Sequence, residues 1–431
     1  MTDTGRLRVA VACQGGGSHT AFTAGVLKRL LGAEELAGVE IVGLSGTSGG
    51  AVCALLAWSA LLEGDPGGAG GLLEAFWADN SATTPLEQLV NAWVVWAARL
   101  EHLVVLPAVS PYDTPTSAQA LGEFRAMLER RVDFDRLAAT ARQAGESGPM
   151  LLLGAVDVLS GDLRAFNSRR EPITADMVLA SAAIPTLFRA VRVDGGTSWD
   201  GLFSQNPPVR ELVDTRPDEL WVIQINPARR DREPRTMVEI ADRRNELAGN
   251  LSLHQELGFI EKIDQLLEGG RLAADGRYQQ IVVRLLELSR PRRSRSLGSA
   301  SKLDRDPAFI RGLLAHGEAR AEEFLAALAF ERAWRRRDPG AVLGCFADDA
   351  ELWSAPPFPD QGSLRGRRRI GRFVRGHLTT DLQVDPTRKQ VAGQRVTWTV
   401  RTHRDDPPER VRGHAEAEFR DGKVVGLRLG G

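Results

Sequence analysis

A chain of 431 residues is longer than one ordinary hydrophobic core organises, so two domains are expected. With 43% hydrophobic and 26% charged residues it has the composition of a globular protein, and a net charge of -1 argues against a general nucleic-acid-binding role. Cys13, Cys53 and Cys345 are scattered without metal-ligand spacing and cannot complete a disulfide framework, which fits a reducing cytoplasm; no metal and no cofactor are expected.

The segment Met1 to Arg8 is polar and lacks the apolar stretch and cleavage site of a signal peptide, so export by that route is not expected. Leu7 to Cys13 is a short β-rich apolar run, Gly15 to Gly17 interrupts it, and Thr20 to Leu31 carries apolar residues at helical spacing. Val39 to Leu44 is the next strand. Two strands joined through a helix lie parallel in one sheet with a right-handed crossover, which makes this an α/β layered fold. The apolar run Ala51 to Leu62 falls short of the roughly 18 to 20 residues of a membrane span. The greasy stretch Leu89 to Pro107 is broken by Asn91, Arg99, Glu101 and His102, so neither run is expected to cross a membrane.

Further on, Met150 to Asp157 and Leu163 to Asn167 flank a Ser160-Gly161-Asp162 turn and read as a strand pair. Leu220 to Ile225 is another strand, a long helix is predicted from about Thr236 to Leu267, and Gln279 to Leu285 is a late strand. Ser289 to Ser301, rich in Arg, Ser and Pro, reads as a loop. The composition changes after Leu328, dividing the chain into 1–328 and 329–431. The second part reads as one amphipathic helix (Ala329 to Arg336), an aspartate-rich turn (Ala347 to Ala350), a Pro-rich loop (Pro356 to Pro359), a basic helix (Arg365 to Gly376) and then strands at Val396 to Thr402, Val411 to Phe419 and Lys423 to Leu429. Helices followed by antiparallel strands describe an α+β domain.

The chemistry centres on Gly46-Thr47-Ser48-Gly49-Gly50, a G-x-S-x-G between a strand and an apolar helix. Such a turn forces the serine into a strained conformation with its hydroxyl exposed at the sheet edge, and flanking glycines remove side chains that would collide. The helix starting near Gly49 adds its positive dipole end and free N–H groups. The loop Gln14-Gly15-Gly16-Gly17-Ser18-His19 should open at the same sheet edge and offer bare amides to an oxyanion, each typically worth about 2.7 to 4 kcal/mol. It matches neither phosphate-binding glycine pattern, which disfavours a nucleotide.

A serine nucleophile needs a base, and two Asp-Gly pairs compete. Asp194-Gly195-Gly196 reads as a hairpin turn. Asp200-Gly201-Leu202 follows Thr197-Ser198-Trp199 and precedes Asn206-Pro207-Pro208, at a strand end leading into an ordered loop. Among the histidines, His254 and His316 fall in helical patterns, His102 in the greasy stretch, and His19 in the donor loop as a positioning group. An aspartate can act as base where burial raises its proton affinity and it lies within reach of the hydroxyl.

Taken together, Gly15-Gly16-Gly17, Gly46 to Gly50, Ala180-Ser181-Ala182-Ala183-Ile184-Pro185 with Phe188, and Asp200-Gly201 before Asn206-Pro207 resemble the patatin-like phospholipases over about residues 7 to 325. The resemblance implies a three-layer α/β/α fold, a Ser-Asp dyad and lipid acyl hydrolase activity. Ser48 would be the nucleophile, Asp200 the base, and the amides of Gly15, Gly16 and Gly17, with Gly49 at the helix start, the oxyanion hole. The family loop usually continues with Arg or Lys; Ser18-His19-Thr20 stands here instead, which implies a pH-dependent charge beside the oxyanion. Residues 329 to 431, with Phe330, Ala333-Trp334, Asp338, Phe346 to Ala350, Gly366 and Ile370, resemble SnoaL-like domains, cones of curved sheet and helices that hold a small ligand or dimerise. His377, His403 and His414 read as surface or structural residues rather than pocket residues.

The resemblance implies a lipid ester substrate, with a peripheral membrane contact and a homodimer through the C-terminal domain as further expectations. Trp93, Val94, Trp96, Ala97 and Leu100 recur at helical spacing, either as an interfacial helix or, as the favoured reading, as a cap on the core. Arg292, Arg293 and Arg295, and the run Arg365 to Arg375, read as solvated charged faces. The competing functions are a Ser-His-Asp carboxylesterase and a non-catalytic lipid-binding scaffold.

Overall fold

The computed structural model describes residues 6–430 except 101–108, 231, 274–277, 289–296, 357, 359–360, 378–381, 384–388, 393–394 and 406–407. His102, the tri-arginine segment and part of the Pro-rich loop therefore lie outside the described residues. Two compact units divide the chain, Met1–Ile281 with Leu288–Glu318, and Val282–Glu287 with Ala319–Gly431.

The first unit runs β1 (Leu7–Cys13), α1 (Ala21–Leu31), β2 (Val39–Thr47), α2 (Gly49–Leu62), α3 (Ala69–Asp79), α4 (Pro85–Leu100), α5 (Pro115–Glu129), α6 (Phe134–Ala144), β3 (Met150–Asp157), β4 (Leu163–Asn167), α7 (Ala175–Ser181), β5 (Val191–Val193), β6 (Gly196–Asp200), β7 (Glu219–Gln224) and α8 (Met237–Glu268). Its strands lie in the order β7-β1-β2-β3-β6-β5, the first four parallel, β6 and β5 antiparallel, with β4 paired to β3. Covered on both faces, the central strands bury nearly continuous apolar runs; every residue of β7 is buried. Two glycines of β2 locate the covering layers. A Cβ on Gly46 would strike Gly50 at the start of α2, whereas one on Gly43 would meet Leu212 and Thr215. Residues 43 and 46 point to opposite faces of a strand, so α2 and the Arg210–Thr215 turn sandwich the sheet in three layers.

The predicted long helix forms as α8, opened by a capping box in which Thr236 Oγ1 accepts from Glu239 N–H at 3.2 Å and Glu239 Oε2 from Thr236 N–H at 3.0 Å. The expectation that α4 caps the core is overturned. Of its large apolar residues only Val95 is buried, while Leu86, Leu89, Val90, Trp93 and Trp96 are exposed. Helical spacing alone cannot tell an inward stripe from an outward one, because the same periodicity serves both. Among the described residues no helix is long and apolar enough to cross a membrane.

The second unit contains β8 (Val282–Glu287), the later part of α9 (Pro307–Arg335), α10 (Pro339–Gly344), β9 (Phe346–Ser354), β10 (Gly362–Arg365), α11 (Arg367–His377), β11 (Leu382–Gln383), β12 (Lys389–Ala392), β13 (Arg395–Asp405), β14 (Pro408–Arg420) and β15 (Lys423–Gly430). Its strands follow the order β10-β9-β15-β14-β13-β12-β8. Phe324, Phe330, Trp334, Phe346, Phe373 and Phe419 fill its core. Two expectations fail here. The helix predicted at Ala329 is the end of one that begins at Pro307, and the predicted Asp-rich turn lies within β9, where Asp348 and Asp349 are exposed and Ala350, Leu352 and Ser354 are buried. Local aspartates signal a turn only when no alternation overrides them, and the inward residues 350, 352 and 354 supply that alternation. The arginines of α11 are exposed, and so is His414; His377 packs tilted against Phe373 with ring centroids 4.8 Å apart.

Candidate active site

Ser48 closes β2 and opens α2 with φ 57 and ψ -131, a conformation few non-glycine residues adopt and one that typically costs about 1–3 kcal/mol. The surroundings enforce it. A Cβ on Gly50 would lie 2.3 Å from Cys13 O, one on Gly46 2.3 Å from Gly50 O, and one on Gly49 2.1 Å from Thr20 Oγ1, so the turn can be this tight only with glycine at all three places. Ser48 N–H donates to both Ser181 O and Ser181 Oγ at 3.1 Å, and the Ser181 hydroxyl donates to Gly154 O at 2.6 Å. Ser48 is buried, 6% exposed, at the N-terminus of a helix whose residues from Gly50 to Ala60 are all buried, so water does little to screen that helix's dipole.

The glycine loop after β1 meets the same edge. Gln14 anchors it: its Oε1 accepts from Ile225 and Asn226 N–H, each at 2.8 Å, while its Nε2 donates to Asn250 Oδ1 at 2.9 Å and Gly249 O at 3.1 Å. Gly15 departs from expectation. Its N–H donates to Asn206 Oδ1 at 2.6 Å, so it holds the loop in place and is not free to meet an oxyanion. Gly16, Gly17 and Gly49 donate to no acceptor among the described residues. A Cβ on Gly16 would lie 2.5 Å from Ile225 Cγ2, and Gly17 adopts φ 56 with Lys302 O 2.3 Å from where its Cβ would be, so neither place has room for a side chain.

Asp200 is the last residue of β6, and Ser48 directly follows the last residue of β2. Register places Thr47 beside Gly154 and Ala155 beside Asp200, so the two residues stand one strand apart on either side of β3, at about 4.8 Å per strand step. Gly154 lies in that gap; a Cβ there would be 2.5 Å from Thr47 Oγ1. Asp200 is 1% exposed, and its Oδ1 accepts from Leu202 N–H at 2.8 Å. Burial raises its carboxyl to about 7, against the opposing pull of the Leu202 amide, the Ser48 hydroxyl and the charge of Lys302. The Ser48 hydroxyl is thus near enough to act as a hydrogen-bonding neighbour, yet Oδ2 meets no partner at good geometry. Hydrogen bonds of this kind tighten around bound substrate.

The other candidates sit elsewhere. Asp194 occupies the β5–β6 turn with φ 48 and an exposed side chain. His254 is exposed on α8, and His316 packs against Phe22 with ring centroids 5.5 Å apart. His19 is buried and pushed down to about 3 by desolvation, helped by Lys302. Its Nε2 lies 2.8 Å from Ser301 Oγ, which is also 2.8 Å from Gly298 O. This corrects the expectation of a pH-dependent charge there: burial without a counter-ion keeps His19 neutral. The cation beside it is the half-buried Lys302, which sequence patterning missed because it stands alone beyond an arginine-rich loop. Asn206, Ser181 and Gly154 lie in segments or strands legible in the sequence, but their roles depend on contacts across 27 to 191 positions.

These features define an α/β protein with a serine strained at a strand-to-helix elbow beside a buried carboxyl. Residues 11–213 match the family model described as patatin-like phospholipase, and residues 327–427 that of the SnoaL-like domain. The chain carries a patatin-like phospholipase domain followed by a C-terminal SnoaL-like domain, and the first supports lipid acyl hydrolysis in general. No curated protein matches the chain. Similar solved structures include an NTF2-like protein of unknown function from Mesorhizobium loti, 23% identical over 25% of this chain and 88% of that one with TM-score 0.23. Another, from Burkholderia pseudomallei, is 19% identical over 25% and 88% with TM-score 0.22.

Proposed function

We propose that the protein is a lipid acyl hydrolase, of phospholipase A or lipase type, working through a Ser48–Asp200 dyad. The observation that carries this reading is the Asp200 carboxyl, buried within reach of the Ser48 hydroxyl and brought by burial to about 7, where a general base is most effective near neutral pH. Asp200 takes the proton as Ser48 Oγ attacks the ester carbonyl, and the amides of Gly16, Gly17 and Gly49 stabilise the oxyanion. Collapse breaks the ester bond, and Asp200 returns the proton to the departing alcohol. Asp200 then deprotonates water, which attacks acyl-Ser48; the fatty acid leaves and Ser48 regains its proton. The exposed apolar face of α4, with Trp93 and Trp96, supports a peripheral contact with the lipid surface.

The test is hydrolysis of a panel of phospholipids and neutral lipids, paired with labelling by a fluorophosphonate probe. Wild type is expected to release fatty acid and take up the probe at Ser48, and Ser48→Ala to do neither. A Ser48→Ala variant with wild-type turnover would remove the nucleophile from the account. For the surface, Trp93→Ser with Trp96→Ser is expected to cut co-sedimentation with phosphatidylcholine vesicles about tenfold while sparing a short soluble ester. Unchanged sedimentation would assign the face to something other than lipid.

A further inference from the structure

The charged groups around the elbow do not balance locally. Lys302 is half-buried, and its Nζ donates to a neutral acceptor, Asn226 Oδ1, at 2.7 Å. Among the described residues no carboxylate reaches it at ion-pair distance. The acids that face it from α8 are engaged elsewhere: Glu246 pairs with Arg230 at 2.6 Å and Arg243 at 3.2 Å, and Asp242 Oδ1 accepts from Ser299 N–H and Oγ, each at 2.7 Å. His19, from the glycine loop, is neutral. Desolvation weakens the hold of Lys302 on its proton, and Glu246, Asp242 and Asp200 strengthen it. An ammonium partly withdrawn from water without a close counter-ion is costly and is retained where its charge acts on something.

Its placement indicates on what. Lys302 O abuts Gly17, so the main chain props the oxyanion loop. Nζ holds Asn226, whose own N–H meets Gln14 Oε1, the anchor of that loop. The charge also bears on Asp200. We propose that Lys302 is the charged positioning residue of the site: its ammonium fixes Asn226 against the Gln14 anchor of the glycine loop, and its carbonyl props Gly17. This rests on the Ser48–Asp200 reading and extends it. The loop bearing Lys302 ties to α4 as well, through Asn91 Nδ2 to Asp304 Oδ1 at 2.9 Å and Arg305 N–H to Asn91 Oδ1 at 2.8 Å, so the exposed apolar helix and the charged residue share one support.

The test is the pH profile of kcat/KM on a p-nitrophenyl ester for wild type, Lys302→Met and Lys302→Arg, with thermal unfolding of each. Lys302→Gln replaces the methionine variant should that one fail to fold. Losing the charge is expected to move the acidic limb upward by about 0.5 to 1 pH unit and to lower kcat about tenfold, with KM within about threefold. Lys302→Arg is expected to restore the limb to within about 0.3 unit of wild type. A neutral variant that folds and keeps the wild-type limb overturns the proposal, as does an arginine variant shifted as far as the neutral one. Ser48→Ala, assayed alongside, separates the two readings. Retained turnover there defeats the dyad itself, whereas its loss with an unmoved limb in Lys302→Met defeats only the role of Lys302.

Discussion

Two Asp-Gly pairs stand at opposite ends of one short strand, and they differ in everything except sequence. Asp194-Gly195 turns β5 into β6 with an exposed carboxylate that meets Arg164 only at 4.0 Å. Asp200-Gly201 leaves β6 with the carboxyl 1% exposed, and a Cβ on Gly201 would lie 2.5 Å from Gly154 O. The first glycine serves a turn, the second a close approach of strands. An aspartate becomes a base through what surrounds it, and here the sheet surrounds only one of the two.

Exchanging each carboxylate for an amide sharpens the contrast. Asp200→Asn is expected to reduce ester turnover by about 10^3- to 10^4-fold, because the amide cannot accept the serine proton. Asp194→Asn is expected to stay within about twofold of wild type in the same assay. Comparable losses in both would mean that the hairpin, and not the base, matters.

A smaller effect separates the loop amides. Asn206→Ala removes the acceptor of Gly15 N–H and should loosen the glycine loop, lowering kcat about tenfold with KM little changed. An unaltered kcat would return Gly15 to the oxyanion hole.

Stability offers a third comparison, with opposite sign. Folding raises the Asp200 carboxyl from 3.8 to about 7, so the folded state holds its proton more tightly than the unfolded one. That contribution is fully present below about pH 4 and is lost as pH rises through about 7. Asp200→Asn, which never charges, is therefore expected to gain on the order of a few kcal/mol over wild type at pH 8 and little at pH 4. Asp194→Asn should leave the unfolding temperature alone at both. His19 runs the other way: held neutral down to about 3, it contributes stability above about 6.5 that is lost as pH falls. Equal unfolding temperatures for wild type and Asp200→Asn at pH 8 would mean that the carboxyl is not desolvated.

Where residues act through neighbours in sequence, the chain could be read directly. The elbow is such a case: Gly46, Gly49 and Gly50 surround Ser48 within one turn, and the strand and helix on either side carry unmistakable patterns. The ordered spacing of Asp200 before Asn206-Pro207 likewise told it apart from Asp194. Legibility ended where a role depends on distant packing. Gly15 is captured by Asn206, His19 loses its charge to burial, and Lys302 arrives from a loop nearly three hundred residues downstream of the Gly17 it abuts. The outward face of α4 was illegible for a different reason, since amphipathic spacing does not say which side the core is on.

The most direct measurement is the rate at which a fluorophosphonate labels Ser48, followed from about pH 5 to about pH 9 in wild type and Asp200→Asn, since this reports the nucleophile without any choice of lipid. Wild type is expected to react faster as pH rises through a midpoint near 7, matching the Asp200 carboxyl, and Asp200→Asn to react slowly with that limb gone. Identical rates and profiles in the two proteins would show that something other than Asp200 activates Ser48.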